Sequence, residues 1–363
     1  MNNTVTNTVT IQGTPGSPPP TSTQQHRDIL LKYGFDVCRN VIHDPRFDSI
    51  NEISSLVSEI SLLIDQISDE DVPPIDLKLR RANTIRSIQS SLAIEGNTLS
   101  LEKVTDIVEG KRVLGNPREI QEVKGALKAY DNMDSYDPYS IKDLLAAHKE
   151  MMYLLVDEEG KFRKCGVGVF KGNVPVHIAP EHKEVPTLMN ELIEWVRTTD
   201  YHPLIKSCIF HYRFEYIHPF VDGNGRMGRF WQSLILSKWK HVFAYLPVET
   251  WVKKEQQNYY SALQNSSPDN VTPFVVFMLR MIRNSVREFV EHNHSLTAES
   301  LSKKEKEIFG IISDNPKNTA GEIAELVGLS ERMVRSHISA LVRKEYIRRV
   351  GSDKAGQWEI LRK

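Results

Sequence analysis

Between residues 48 and 292 apolar side chains recur at steps of three and four, with one extended-looking interruption, and that period dictates a body of packed amphipathic helices. Ile50, Ile53, Leu56, Val57, Ile60, Leu63, Ile64 and Ile67 predict a first helix, which Pro73 and Pro74 stop. Leu77, Leu79, Ile85, Ile88 and Leu92 predict a second, capped by Gly96-Asn97. Further helices are predicted over 101–109, 117–133, 140–155, 184–197, 203–217, 226–240, 251–265 and 271–292. Only 161–178 breaks the pattern: Val and Phe alternate there with small residues, punctuated by Gly or Pro, which predicts a short hairpin.

A chain of 363 residues exceeds what one core holds, so at least two domains are expected. Residues 1–25, mostly Thr, Asn, Ser, Gly and Pro, read as a disordered tail, because they offer too little apolar area to offset the entropy of ordering. Residues 26–135 form an N-terminal helical region and 136–292 a second helical core. The polar H-N-H-S-L-T-A-E-S at 292–300 reads as a linker. Beyond it, three short helical patterns, a tight turn at Gly328-Leu329-Ser330 and a final alternating stretch predict a winged helix-turn-helix over 300–363. The 46 Lys and Arg balance 47 Asp and Glu, which excludes wholesale binding to nucleic acid or anionic membrane and leaves only local patches. With three scattered cysteines, no signal-like start and no apolar run of membrane-spanning length, the expected setting is cytoplasmic, without a membrane partner.

The chemistry concentrates in His218-Pro219-Phe220-Val221-Asp222-Gly223-Asn224-Gly225-Arg226-Met227-Gly228-Arg229, between two predicted helices. Pro219 ends the first helix, and Gly223 and Gly225 let the chain turn tightly and bring bare N–H groups to a ligand. The next helix starts here, so its positive end and unpaired donors face the same space. Arg226 and Arg229 add forked cationic donors, completing a phosphate cradle. Asp222 offers a hard oxygen to Mg²⁺, and His218 has the pKa of a base that works near neutrality. Taken singly, each element reads equally as an ordinary turn, a surface charge or a core histidine; the ordered string as a whole does not.

That string resembles the H-P-F-x-D-G-N-G-R-x-x-R motif of the Fic family of protein adenylyltransferases at every fixed position, and the resemblance extends over about 48–290. It implies a Fic-type all-α core carrying a β-hairpin flap. It implies also ATP with Mg²⁺, and transfer of AMP to a Ser, Thr or Tyr hydroxyl of a target protein, self-modification included. His218 would deprotonate the hydroxyl, Asp222 would hold Mg²⁺, Gly223, Asn224 and Gly225 would line the anion hole, and Arg226 and Arg229 would bind phosphates, Arg229 the γ-phosphate.

Upstream, Ser91-Leu92-Ala93-Ile94-Glu95-Gly96-Asn97 resembles the family's inhibitory motif, placing the inhibitory helix on the N-terminal side of the catalytic string. Ser91 and Glu95 share a helix face, and the resemblance implies that Glu95 pairs with Arg229 and displaces the γ-phosphate. In the flap, Val167 and Val169 are expected to offer a backbone edge to an extended target segment, although Gly168, Phe170 and Lys171 make its register irregular. Tyr259 and Tyr260 resemble the stretch that packs against adenine, and read equally as core residues. His211, Glu215 and His218 are spaced as three ligands on one helix face, but the spacing is not that of a zinc protease, and a ligand role for His218 would consume the base.

Residues 301–363 carry 13 Lys and Arg against 9 Asp and Glu, with Arg332, Arg335, His337, Arg343 and Lys344 on the second helix of the turn motif and Arg348, Arg349 and Lys354 on the wing. The surface suits DNA phosphates; winged helices serve equally as protein-contact or homodimer modules. Two classes of function stay open on the sequence. One is an adenylyltransferase braked by Glu95. The other is a DNA-binding regulator whose Fic body senses nucleotide; the resemblance also leaves open removal of AMP, assisted by Glu95, as a second enzymatic activity. The intact base favours the enzyme, since a sensor has no need of one.

Overall fold

The fold is described from a computed structural model, over residues 7–10, 42–67, 77–171, 174–299, 301–344, 346–351 and 356–361. The chain forms two compact units, Met1–Arg287 and Glu288–Lys363. Of the stretch read as a tail, residues 7–10 are a strand and the rest lies outside the described residues, as do Pro73 and Pro74.

The first unit holds eleven helices among its described residues. They are α1 (Ile50–Asp65), α2 (Leu77–Ile94), α3 (Leu101–Val108), α4 (Pro117–Asp131), α5 (Ile141–Met151), α6 (Val185–Thr198), α7 (Pro203–Ile217), α8 (Asn224–Trp239), α9 (Val248–Lys254), α10 (Gln256–Gln264) and α11 (Thr272–Glu299), the last running on into the second unit. Helices α7 and α8 are buried on nearly every side: Cys208, Ile209, Phe210 and Phe214 on one and Met227, Phe230, Trp231 and Leu234 on the other are inaccessible. Helices buried on nearly every side need neighbours on nearly every side. Here Ile88 and Leu92 of α2, Val123 and Ala129 of α4, Leu144 and Ala147 of α5, and Met189 and Leu192 of α6 supply the cover. The six-residue turn between α7 and α8, 218–223, is thereby held against a rigid core.

The predicted hairpin is present as β2 (Val167–Lys171) and β3 (Val174–Ile178), antiparallel, with a register shift between Val169 and Phe170. A short strand β1 (Asn7–Thr10) pairs antiparallel with the other edge of β2, Thr8 opposite Val169, giving the order β1-β2-β3. Three element boundaries differ from expectation. Helix α8 begins at Asn224 because Gly223, at φ 85°, already turns the chain into it. The stretch 251–265 is split at Glu255. Helix α11 continues through the expected linker to Glu299, since H-N-H-S-L-T-A-E contains neither Gly nor Pro to stop it.

In the second unit α12 (Lys303–Asp314) and α13 (Ala320–Val327) each open on a capping box, Ser302 with Glu305 and Thr319 with Glu322. Gly328, at φ 67°, ends α13, and Ser330 caps α14 (Glu331–Arg343). Ile308, Ile312, Ile323, Val334 and Leu341 form the core beneath the two-stranded wing, β4 (Ile347–Val350) and β5 (Gln357–Ile360). This is the predicted winged helix-turn-helix. No described helix is long and apolar enough to cross a membrane.

Candidate active site

His218 ends α7 in the left-handed conformation, φ 50° and ψ 60°, while its N–H still bonds to Phe214 O. For a residue with a Cβ this geometry costs about 1–2 kcal/mol and persists only where the surroundings over-determine it. The surroundings do: the ring Nδ1 lies 3.2 Å from Glu215 O, and the buried Arg163 donates from Nε to His218 O at 2.8 Å and from its backbone N to Pro219 O at 2.9 Å. Burial, reinforced by the neighbouring His177 and Arg163, pushes the imidazole pKa down to about 3. The ring is therefore neutral at physiological pH. With Nδ1–H donating to Glu215 O, the lone pair sits on Nε2, but burial makes it a much weaker base than the near-neutral one expected from the residue type.

Asp222 follows, half-exposed. Its Oδ1 accepts from Gly223 N at 2.6 Å and from Arg226 Nη2 at 3.0 Å, and its Oδ2 from Arg118 Nη2 at 3.2 Å. Its carbonyl is fixed by His148 Nε2 at 3.1 Å; because His148 Nδ1 accepts from Gly160 N, the Nε2 must carry the proton. The His148 ring lies flat on Phe220 at 3.6 Å. Asn224 does not point into the cradle with its side chain. It bonds both ways to the Phe220 backbone, each at 2.9 Å, and so staples the turn shut. Gly223, the N-cap of α8, has no side chain to accept from the first turn, so those N–H groups stay directed at the space in front of the helix.

Arg229, 3% exposed, faces the same space one turn further on. It donates from Nε to Ser91 Oγ at 3.1 Å, and from Nη2 to Ser91 O at 3.0 Å and Glu95 Oε1 at 2.7 Å. Burial alone would lower the guanidinium pKa, but the Glu95 carboxylate beside it drives it well above its ordinary value. A Cβ on Gly225 would run into Glu95 Oε1 and come within 3.0 Å of Arg229 Nη1. The Glu95 carboxylate thus lies directly over Gly225. Arg226 is paired with Asp222 and stands 3.7 Å from Glu122.

Val167 is fully buried in β2 and Val169 half-buried, and His177 of β3 anchors the flap through Nε2 to Tyr216 O at 2.7 Å. The two tyrosines part company. Tyr260 is half-buried and donates to Ile94 O beside Glu95, whereas Tyr259 lies in the interior with its hydroxyl on His211 Nε2 at 3.1 Å. Glu215 is placed 3.8 Å from His211 Nε2 and 3.9 Å from His218 Nδ1, but Gln232 and Tyr259 occupy the His211 nitrogens. Residues 218–229 therefore converge with Ser91 and Glu95 on one helix end. Arg118, Glu122, His148 and Arg163 join them without any sequence signal that singled them out.

A profile of the Fic/DOC family matches residues 138–236, and one described as winged helix-turn-helix DNA-binding matches 301–348. The protein adenylyltransferase Fic of Aedes aegypti is 29% identical over 293 residues, 70% of this chain and 56% of the relative. That of Nematostella vectensis is 26% identical over 302 residues, 73% of this chain and 68% of the relative. The chain spans roughly half to two thirds of the length of these relatives. A crystal structure of a Fic family protein from Desulfovibrio desulfuricans G20 superposes with a TM-score of 0.67 at 41% identity, over 88% of this chain and 98% of the other. A Fic domain containing protein from Bacteroides thetaiotaomicron, 18% identical with a TM-score of 0.55, shares the fold. With a relative so similar over nearly its whole length, and with the motif folded into one helix end, the chain belongs to the Fic family.

Proposed function

We propose that the chain is an ATP-dependent protein adenylyltransferase at rest, with Glu95 as its brake. The observation that carries this reading is a single helix N-terminus that gathers a neutral buried imidazole, an open carboxylate, and an arginine whose partner carboxylate fills the space over Gly225. An anion belongs at that position, and the chain supplies one of its own. The curated relatives are named protein adenylyltransferases, which supports the same activity here.

With Glu95 withdrawn, the uncapped N–H groups of α8, Arg226 and Arg229 bind the triphosphate of ATP, Arg229 at its γ end. A Ser, Thr or Tyr hydroxyl gives its proton to His218 Nε2 as its oxygen bonds to the α-phosphorus; for the flap to align it at Val167 and Val169, β1, which pairs with that edge of β2, must first give way. The bond from that phosphorus to the bridging oxygen breaks, and pyrophosphate leaves with the electron pair. Positioning and preorganised charge do most of the work. Asp222 is the residue that would hold a hard divalent ion: its carboxylate is half-exposed, and the exposed Arg118 would have to leave Oδ2 to free that ligand. Among the described residues no three His, Cys, Asp or Glu side chains form a metal cage, so Mg²⁺ would draw its other ligands from phosphate and water. When bound, the ion offsets phosphate charge.

The test uses wild type, Glu95→Gly and His218→Ala, each with α-labelled ATP, Mg²⁺ and a cell extract, followed by mass measurement of what becomes labelled. Glu95→Gly is expected to label itself or an extract protein at least about tenfold faster than wild type, a barrier change of roughly 1.4 kcal/mol. His218→Ala is expected to bind ATP and label nothing. An unlabelled Glu95→Gly reaction, or label persisting without His218, excludes the reading.

A further inference from the structure

Arg163 is 2% exposed, and among the described residues no carboxylate acts on it. Its donors go to backbone carbonyls: Nε to His218 O at 2.8 Å, Nη1 to Cys165 O at 2.8 Å, and Nη2 to Pro180 O at 2.5 Å and Ile217 O at 3.3 Å. Its own backbone N donates to Pro219 O. Cys165 precedes β2 and Pro180 follows β3, so two acceptors are the two roots of the hairpin; the others are the end of α7 and the catalytic turn.

A buried guanidinium is a costly way to fill space, and an apolar side chain would do it more cheaply. What only arginine offers is a rigid planar fork whose donors point in several fixed directions at once. Here the fork spans two structures that have no sequence proximity: Arg163 and His218 are 55 residues apart. The same clamp also holds the carbonyl of a residue in a conformation, φ 50°, that needs holding.

We propose that Arg163 is a positioning residue, which locks both roots of the flap to the backbone of His218 so that a segment held by the flap and the imidazole keep a fixed spacing. The mechanical part stands on the geometry; its catalytic consequence rests on the adenylyltransferase reading. Misplacing a reacting group by about 1 Å costs on the order of a hundredfold in rate, so loosening the clamp acts on turnover and leaves nucleotide binding alone, since no donor of Arg163 faces the α8 cradle.

The test is Arg163→Lys, which keeps charge but loses the fork, with Arg163→Gln as the substitute should the lysine variant not fold. Backbone hydrogen exchange in the full chain is expected to accelerate together, by about tenfold or more, at 164–168, 178–181 and 218–224, with the amides of α2 and α11 unchanged. In the Glu95→Gly background, kcat for AMP transfer is expected to fall by at least about tenfold while ATP affinity stays within about twofold. Acceleration confined to the flap or to the turn, or spread over the whole chain with a matching fall in Tm, overturns the proposal, because a merely structural arginine does one of these. If Glu95→Gly alone transfers no AMP, the adenylyltransferase reading fails, and the exchange pattern still decides the role of Arg163.

Discussion

Glu215 holds a carboxyl group between two imidazoles behind the 218–223 turn, with Oε1 buried and without a hydrogen bond. Burial pushes its pKa up to about 8, against the pull of Arg229. The native state therefore keeps a proton that the unfolded chain releases near pH 4.5, and this group's contribution to stability falls as pH rises from there through about 8. His211 and His218, both pushed down to about 3 by burial, act the opposite way and have no further effect above about pH 6.5. Glu215→Gln removes the first slope, so its urea midpoint is expected to gain on wild type between pH 6.5 and 8. Midpoints that stay parallel over that interval would refute the buried acid. At this scale His218, Asp222, Arg226 and Arg229 were legible because chemistry-bearing residue types stood together in one string. Arg163 and His148 were not, because their role lies in contacts made across 55 and 74 residues.

The element that matters most is the joint between α7 and α8. Gly223 adopts φ 85°, and a Cβ there would come within 2.6 Å of Met152 Sδ. Gly223→Ala is expected to cost at least about 1 kcal/mol, seen as a lower urea midpoint with unchanged slope, since strain and crowding act together. A midpoint equal to wild type would mean that the turn is softer than its packing implies. Helix existence was readable from apolar period almost throughout, because cores impose that period on the sequence. Boundaries were less so: the break at Glu255 has no Gly or Pro to announce it, and α11 outlasts its apolar stripe by a polar turn and more. Tyr259 and Tyr260 show the remaining ambiguity. Adjacent helical residues lie about 100° apart, and only the folded neighbours decide that one meets His211 in the interior and the other Ile94 near the surface.

Across the molecule, several basic side chains of the second unit are held in internal contacts. Arg335 pairs with Glu331, Arg348 with Glu359 and Lys344 with Glu305, and Arg349 lies over Trp358. Lys354 lies outside the described residues. Arg332 and Arg343 are exposed on α14. If the unit contacts DNA, the full chain is expected to show a shallow salt dependence on duplex DNA, a log–log slope of about −2 to −3, which Arg332→Ala reduces by about one. A slope near −8 would contradict this surface. Glu95 over Gly225 carries a different consequence. If Glu95 acts as the proposed brake, it competes at a fixed effective concentration, so ATP would overcome it only at proportionally higher levels, whereas displacement of α2 from another face would lift it altogether. Because the same contact neutralises Arg229, removing it is expected to loosen the fold. Glu95→Gly is expected to melt below wild type when empty, and to gain about 2.7 kcal/mol from ATP at a hundred times its Kd, with wild type gaining less at the same concentration. Vigilance and cohesion here draw on one bond, and whatever frees the first must replace the second.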